Sequence, residues 1–201
     1  MKLYPKNNDP QQLQRIADLL NDGGVIIYPT GTTYALGCHA LKERAVERIC
    51  RIKGVEPEKQ LLSIVCYDIS SISEFAKIET PVFKLMKRHL PGPFTFILPG
   101  TRALPKVFSK RGEVGIRMPD SAIVSEILAH LEAPLLTASL PAEDEDDAQD
   151  LLNPELVEER FGNQIDLMVE TGQGKPGQTT IVSCTTGEPE VVRQGDGWLD
   201  I

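Results

Sequence analysis

Apolar positions recur along this chain with two different periods. In residues 11–20, Leu13, Ile16, Ala17 and Leu20 fall three or four apart, which predicts a helix with one buried face. Asn21-Asp22-Gly23-Gly24 supplies its stop. The same spacing predicts a helix over 41–53, with Ala45, Val46, Ile49, Cys50 and Ile52 inward and Gly54 ending it. Further helices are predicted over 70–78, over 82–90 behind Pro81, and after Asp120, which is placed to cap a helix carrying Val124, Ile127, Leu128 and Leu131. Asn153-Pro154 reads as a cap followed by proline at the first helical position. Short continuous apolar runs predict strands over 25–28, 61–66 (buried on both faces), 94–98, 114–118, 135–139, 165–169, 179–184 and 190–193. Strands alternate with helices, and the last two strands are close enough to form a hairpin. The expected fold class is therefore α/β with a mixed sheet. No repeat, linker or domain boundary interrupts residues 1–201, which read as a single domain.

One stretch organises the rest. Val25-Ile26-Ile27-Tyr28 is a buried strand, and Pro29 cannot donate to a ladder, so the strand is expected to stop there. Thr30, Thr32 and Thr33 then crowd around Gly31. Hydroxyls and free N–H groups at the end of a core strand suit a ligand site. A threonine-rich loop that satisfies only its own backbone fits the same residues.

Length and composition narrow the class. The 201 residues are 41% apolar and 25% charged, ample for one well-cored domain. No apolar run approaches the roughly 20 residues of a membrane span, and the N-terminus lacks the apolar segment of a signal peptide. The expectation is a cytoplasmic protein without membrane contact. Cys38, Cys50, Cys66 and Cys184 are unevenly spaced and read as buried free thiols, and the scattered His39, His89 and His130 give a metal cluster little support. Net charge is −8, much of it in residues 143–150, read as a solvated acidic loop. Residues 101–113 read as a long basic connection with Arg102, Lys106, Lys110 and Arg111.

Several cations sit where they either meet solvent or meet an anion. Arg51, Lys53 and Lys59 bracket a helix C-terminus, as dipole partners or as a phosphate clamp. Arg117 lies inside a strand between Ile116 and Met118, and Arg193 follows Val191-Val192. Ser139 ends an apolar strand as the threonine loop does. Gly172-x-Gly174 in the glycine-rich segment 171–177 lacks the lysine-serine ending of a Walker loop, and no G-x-S-x-G is present.

An ordered set of motifs then resembles the YrdC-like domain family. It comprises Pro29-Thr30-Gly31-Thr32-Thr33-Tyr34-Ala35-Leu36-Gly37, Arg51-Ile52-Lys53-Gly54, Pro91-Gly92-Pro93-Phe94-Thr95, Gly115-Ile116-Arg117-Met118-Pro119, Thr179-Thr180-Ile181-Val182 and Val192-Arg193-Gln194-Gly195. The resemblance implies a twisted mixed sheet with helices around a large open concave cavity. It implies threonylcarbamoyl-AMP synthase chemistry, in which L-threonine, bicarbonate and ATP give threonylcarbamoyl-AMP and pyrophosphate for a modified adenosine in tRNA. Carried over by position, Thr32, Arg117 and Thr179 would hold threonine, and Lys53, Ser139 and Arg193 the nucleotide. Lys59 would add charge there. ATP would enter as substrate with magnesium on its phosphates, without a metal held by the protein. No residue is assigned as catalytic, since positioning and charge neutralisation carry the rate. Two signature positions differ: Val55 stands where the family has arginine and Pro141 where it has asparagine. Both departures resemble the YciO-type subgroup and imply weak or altered activity. Val55→Arg is then expected to restore a phosphate contact and tighten ATP binding. The alternative reading is a non-catalytic module binding a nucleotide, tRNA or double-stranded RNA.

Overall fold

Strand β1 (Val25–Pro29) is wholly buried and turns back through the threonine loop into β2 (Tyr34–His39), with Pro29 opposite Tyr34. The loop is thus the tip of a hairpin. The apolar pattern does not reveal β2, because Ala35 and Gly37 dilute it. Gly37 is nonetheless required, since a Cβ there would stand 2.8 Å from the Tyr28 ring. In this computed structural model residues 1–57 and 59–199 are described, and among them one nine-stranded sheet forms the framework.

The remaining strands are β3 (Ser63–Val65), β4 (Phe94–Pro99), β5 (Glu113–Arg117), β6 (Leu135–Ser139), β7 (Leu167–Met168), β8 (Thr180–Ser183) and β9 (Glu190–Arg193). Their order is β7-β1-β2-β6-β3-β5-β4-β8-β9. Parallel pairs (β1/β7, β3/β5, β4/β8) are interspersed with antiparallel ones, so the sheet is mixed as expected. The expected strands over 61–66 and 165–169 shorten to β3 and β7, while 135–139 and 190–193 stand unchanged.

Helices cover the sheet in two groups. Helix α1 (Pro10–Asn21) is capped by Asp9, and α6 (Ala122–Leu131) is capped by Ser121. Asp120, expected to cap α6, stands one residue too early. These two helices seal Ile26, Tyr28, Ala35, Val65 and Leu135 on one face. Helices α2 (Glu43–Lys53), α3 (Ile69–Phe75), α4 (Thr80–His89), α5 (Lys106–Ser109) and α8 (Pro154–Phe161) contribute to the larger core on the other face. Helix α5 falls inside the expected basic connection. The expected acidic loop is likewise folded, into α7 (Glu145–Asp150). Asp144 accepts from the Asp147 amide at 2.9 Å, and acids in a first helical turn complement the helix dipole. Asp147 also meets Arg160 of α8. All four cysteines are free and buried. No helix among the described residues is long and apolar enough to cross a membrane.

Candidate functional site

Side chains alternate along β5, so Val114 and Ile116 enter the larger core while Arg117 points to the opposite face. That face carries a cavity of about 480 Å³. One wall is the threonine loop together with Ser139, the last residue of β6. The other is built from Gly92-Pro93 before β4, Arg117 at the end of β5, Thr179 before β8 and Arg193 at the end of β9. Leu140, Ala142, Ala148, Leu151 and Leu152 supply an apolar flank from β6 to the turn after α7.

Arg117 is the electrostatic centre. Its Nε is buried and has no hydrogen-bond partner among the described residues. Burial presses the guanidinium below its ordinary pKa, with Tyr28 opposing that shift and Arg193 adding to it. Leaving a charged donor unmatched in a low-dielectric site is costly unless an anion completes it. Arg193 donates through Nη2 to the Thr179 carbonyl at 2.8 Å, and Thr179 Oγ1 is 2.9 Å from Thr95 Oγ1. Thr32 Oγ1 lies 3.4 Å from Thr30 Oγ1, and the Thr30 hydroxyl donates to the Thr33 carbonyl at 2.8 Å. The loop therefore satisfies part of its own backbone and still presents Thr32 to the cavity.

Thr32, Arg117, Ser139, Thr179 and Arg193 thus share one cavity. Lys53, the last residue of α2, reaches its edge by donating to the Ser139 carbonyl at 2.6 Å and to Ser139 Oγ at 3.0 Å. Burial lowers the Lys53 pKa. Lys59 does not join them. It is exposed, and its Nζ pairs with Glu56 at 2.8 Å, three residues away on the same turn. Val55 does not line the cavity either. Gly54 takes a left-handed conformation, its amide donates to Arg51 and the Val55 amide to Cys50, both at 3.0 Å. This paired closure of a helix end favours an apolar residue at position 55, and Val55 packs on the larger core. Pro141 lies between Leu140 and Ala142, which line the cavity.

Tyr34, Asp120 and Asp196 also line the site. Tyr34 was legible in the opening motif but carried no assigned role. Asp120 and Asp196 had no signal beyond standing next to motif residues. Among the described residues no group of three or more His, Cys, Asp or Glu could hold a metal ion.

Residues 18–195 match the Sua5/YciO/YrdC family, described as "Telomere recombination". The chain belongs to the Sua5/YciO/YrdC family. It is 34% identical over 197 residues to YciO of Escherichia coli strain K12, covering 97% of this chain and 94% of YciO. A crystal structure of E. coli YciO superposes with a TM-score of 0.87 at 34% identity, covering 98% of this chain and 95% of that one. Threonylcarbamoyl-AMP synthase of Pyrococcus abyssi is 29% identical over 182 residues, spanning 89% of this chain and 52% of the synthase. A crystal structure of P. abyssi Sua5 complexed with L-threonine gives a TM-score of 0.84 at 25% identity, covering 97% of this chain and 57% of that one. The Sua5/YciO/YrdC relatives of this chain therefore include threonylcarbamoyl-AMP synthases, and the YciO relatives match it over nearly all of both chains.

Proposed function

We propose that this protein binds L-threonine and ATP in the cavity around Arg117 and joins them, with bicarbonate, into threonylcarbamoyl-AMP. The observation that carries the reading is the buried Arg117 Nε without a partner in a cavity that also holds Arg193, Thr32 and Thr179. A planar guanidinium of this kind matches a carboxylate, and threonine hydroxyls suit a small polar substrate. A Sua5 relative complexed with L-threonine supports the choice of amino acid.

In this reading the threonine amine takes up bicarbonate, with loss of water, to form a carbamate. A carbamate oxygen attacks the α-phosphorus of ATP, and the bond to the β-phosphate breaks to release pyrophosphate. Lys53 and Arg193 neutralise the charge that gathers on the phosphates, and magnesium arrives with the nucleotide. Preorganised cations act most strongly in a site that excludes water. Purified protein given ATP, bicarbonate and L-threonine tests the reading. Pyrophosphate release that requires all three is expected. No release from folded protein at any threonine concentration overturns it.

A further inference from the structure

The glycine-rich segment 171–178 covers the cavity edge and is sewn to it from several directions. The Tyr34 hydroxyl donates to the Gly172 carbonyl at 2.6 Å and accepts from the Thr171 amide at 3.2 Å. The Gly174 amide donates to the Leu152 carbonyl at 2.7 Å, and the Lys175 amide donates to the Thr32 carbonyl at 3.0 Å. The Gln178 amide donates to Asp196 at 3.0 Å. Every acceptor or donor outside the segment belongs to a residue that lines the cavity.

The fit against Thr32 is close. A Cβ on Gly177 would stand 2.9 Å from Thr32 Cγ2 and 2.9 Å from Asp196 Oδ2. A Cβ on Gly174 would stand 3.0 Å from the Thr32 carbonyl. The segment therefore bears on Thr32 twice, through its backbone at Lys175 and through its methyl at Gly177. Thr32 has little else to hold it, since among the described residues its hydroxyl meets only Thr30 at 3.4 Å, the long end of a hydrogen bond.

We infer that segment 171–178 is a strap that sets the orientation of Thr32, and that Tyr34 is its latch. Tyr34 and Gly177 are positioning residues: they act on the amino-acid ligand through Thr32. Among the described residues Lys53 and Ser139 have no bond to the strap, and Arg193 bonds to Thr179, just beyond its end, so the strap acts on the threonine side more directly than on the nucleotide side. The inference rests on the reading of the cavity as an L-threonine site. It goes beyond that reading by assigning control of the site to a segment outside the family motifs.

Two variants and two readouts test it. Tyr34→Phe keeps the buried ring and removes only the hydroxyl. Gly177→Ala adds the Cβ that meets Thr32. In Tyr34→Phe the amides of Thr171, Gly174 and Lys175 should exchange with solvent faster while those of β1 and β6 do not change. By calorimetry both variants should bind L-threonine roughly five- to tenfold more weakly and ATP as the wild type does. Unchanged exchange in the strap overturns the latch. Faster exchange with unaltered threonine affinity overturns the positioning role alone. Equal loss of threonine and ATP affinity marks a general loosening and overturns it too. Wild-type protein that binds no L-threonine overturns the underlying reading, and the positioning role falls with it.

Discussion

Lys53 holds Ser139 by two atoms at once, the carbonyl oxygen at 2.6 Å and the hydroxyl at 3.0 Å. The pair joins the end of α2 to the end of β6 across 86 residues of sequence. A lysine so placed can swing one of its protons toward a phosphate without leaving the serine.

Lys53→Ala is expected to weaken ATP binding by about 10–100-fold, the loss of one charge-assisted contact of roughly 1.5–3 kcal/mol. L-threonine affinity should change far less. Calorimetric titration of each ligand checks this, and unaltered ATP affinity would separate Lys53 from the nucleotide.

Arg117 is expected to trade stability for binding. Arg117→Met removes a buried donor without a partner, so the free protein should gain about 1–3 kcal/mol in urea unfolding. The same variant should lose all stabilisation by added L-threonine, which in the wild type grows with ligand concentration. A variant that is both destabilised and still stabilised by threonine would show that Arg117 serves the fold.

Val55→Arg is expected not to tighten ATP binding, contrary to what the family signature suggests. Val55 packs on the core behind a left-handed Gly54, and an arginine there gives up that contact for about 1 kcal/mol of stability. Comparison of ATP affinity and urea midpoint in the variant and the wild type decides the point.

Stability should fall as pH drops below the ordinary histidine value of 6.5. Burial, helped by Lys42, lowers the His39 pKa, and Nδ1 accepts from the Leu41 amide at 3.1 Å. Above 6.5 the imidazole is neutral in both states, so its full contribution is present. Below 6.5 the unfolded chain takes up a proton that the folded chain does not, and stability declines until the lowered folded pKa is reached. His39→Gln should flatten this part of the melting profile.

RNA binding, if measured, is expected to be weak and steeply salt-dependent. The chain carries a net charge of −8, and the acidic α7 flanks the cavity through Ala148. Titration of tRNA from low to physiological salt should show affinity falling to roughly the 10⁻⁴–10⁻⁶ M range of non-specific binding. Tight, salt-insensitive binding would contradict this.

Much of the architecture was legible because burial imposes a period. Helix α1 and strand β6 follow from spacing alone, since each has a continuous apolar face, and the β8/β9 hairpin follows from two short β-branched runs joined by turn residues. Strand β2 was not legible, because its interior needs Gly37 under Tyr28 and its pairing comes from β1 and β6 rather than from its own residues. Helix α7 was hidden for the opposite reason. It buries no side chain and is held by the Asp144 cap and by Arg160. In the site, residues on strand ends were found because a polar residue closing an apolar run is conspicuous. Lys59 was assigned by charge and proximity in sequence, and Glu56 draws it away. The sequence of the strap shows only a glycine-rich loop, since its bonds go to residues that no local pattern connects with it.

The hydrogen bond from Tyr28 to Thr137 spans 109 residues, and the Thr95–Thr179 contact spans 84. Contacts so distant in the chain carry a large loop-closure cost, which the rest of the sheet has to offset. The cavity thus depends on strands far apart in the chain. A chain that has made β1 through β6 but not β8 and β9 lacks Thr179 and Arg193 and has one wall missing. A ligand held by both walls therefore binds only the complete sheet, and its binding energy adds to the stability of the β4/β8 pairing that brings the second wall in.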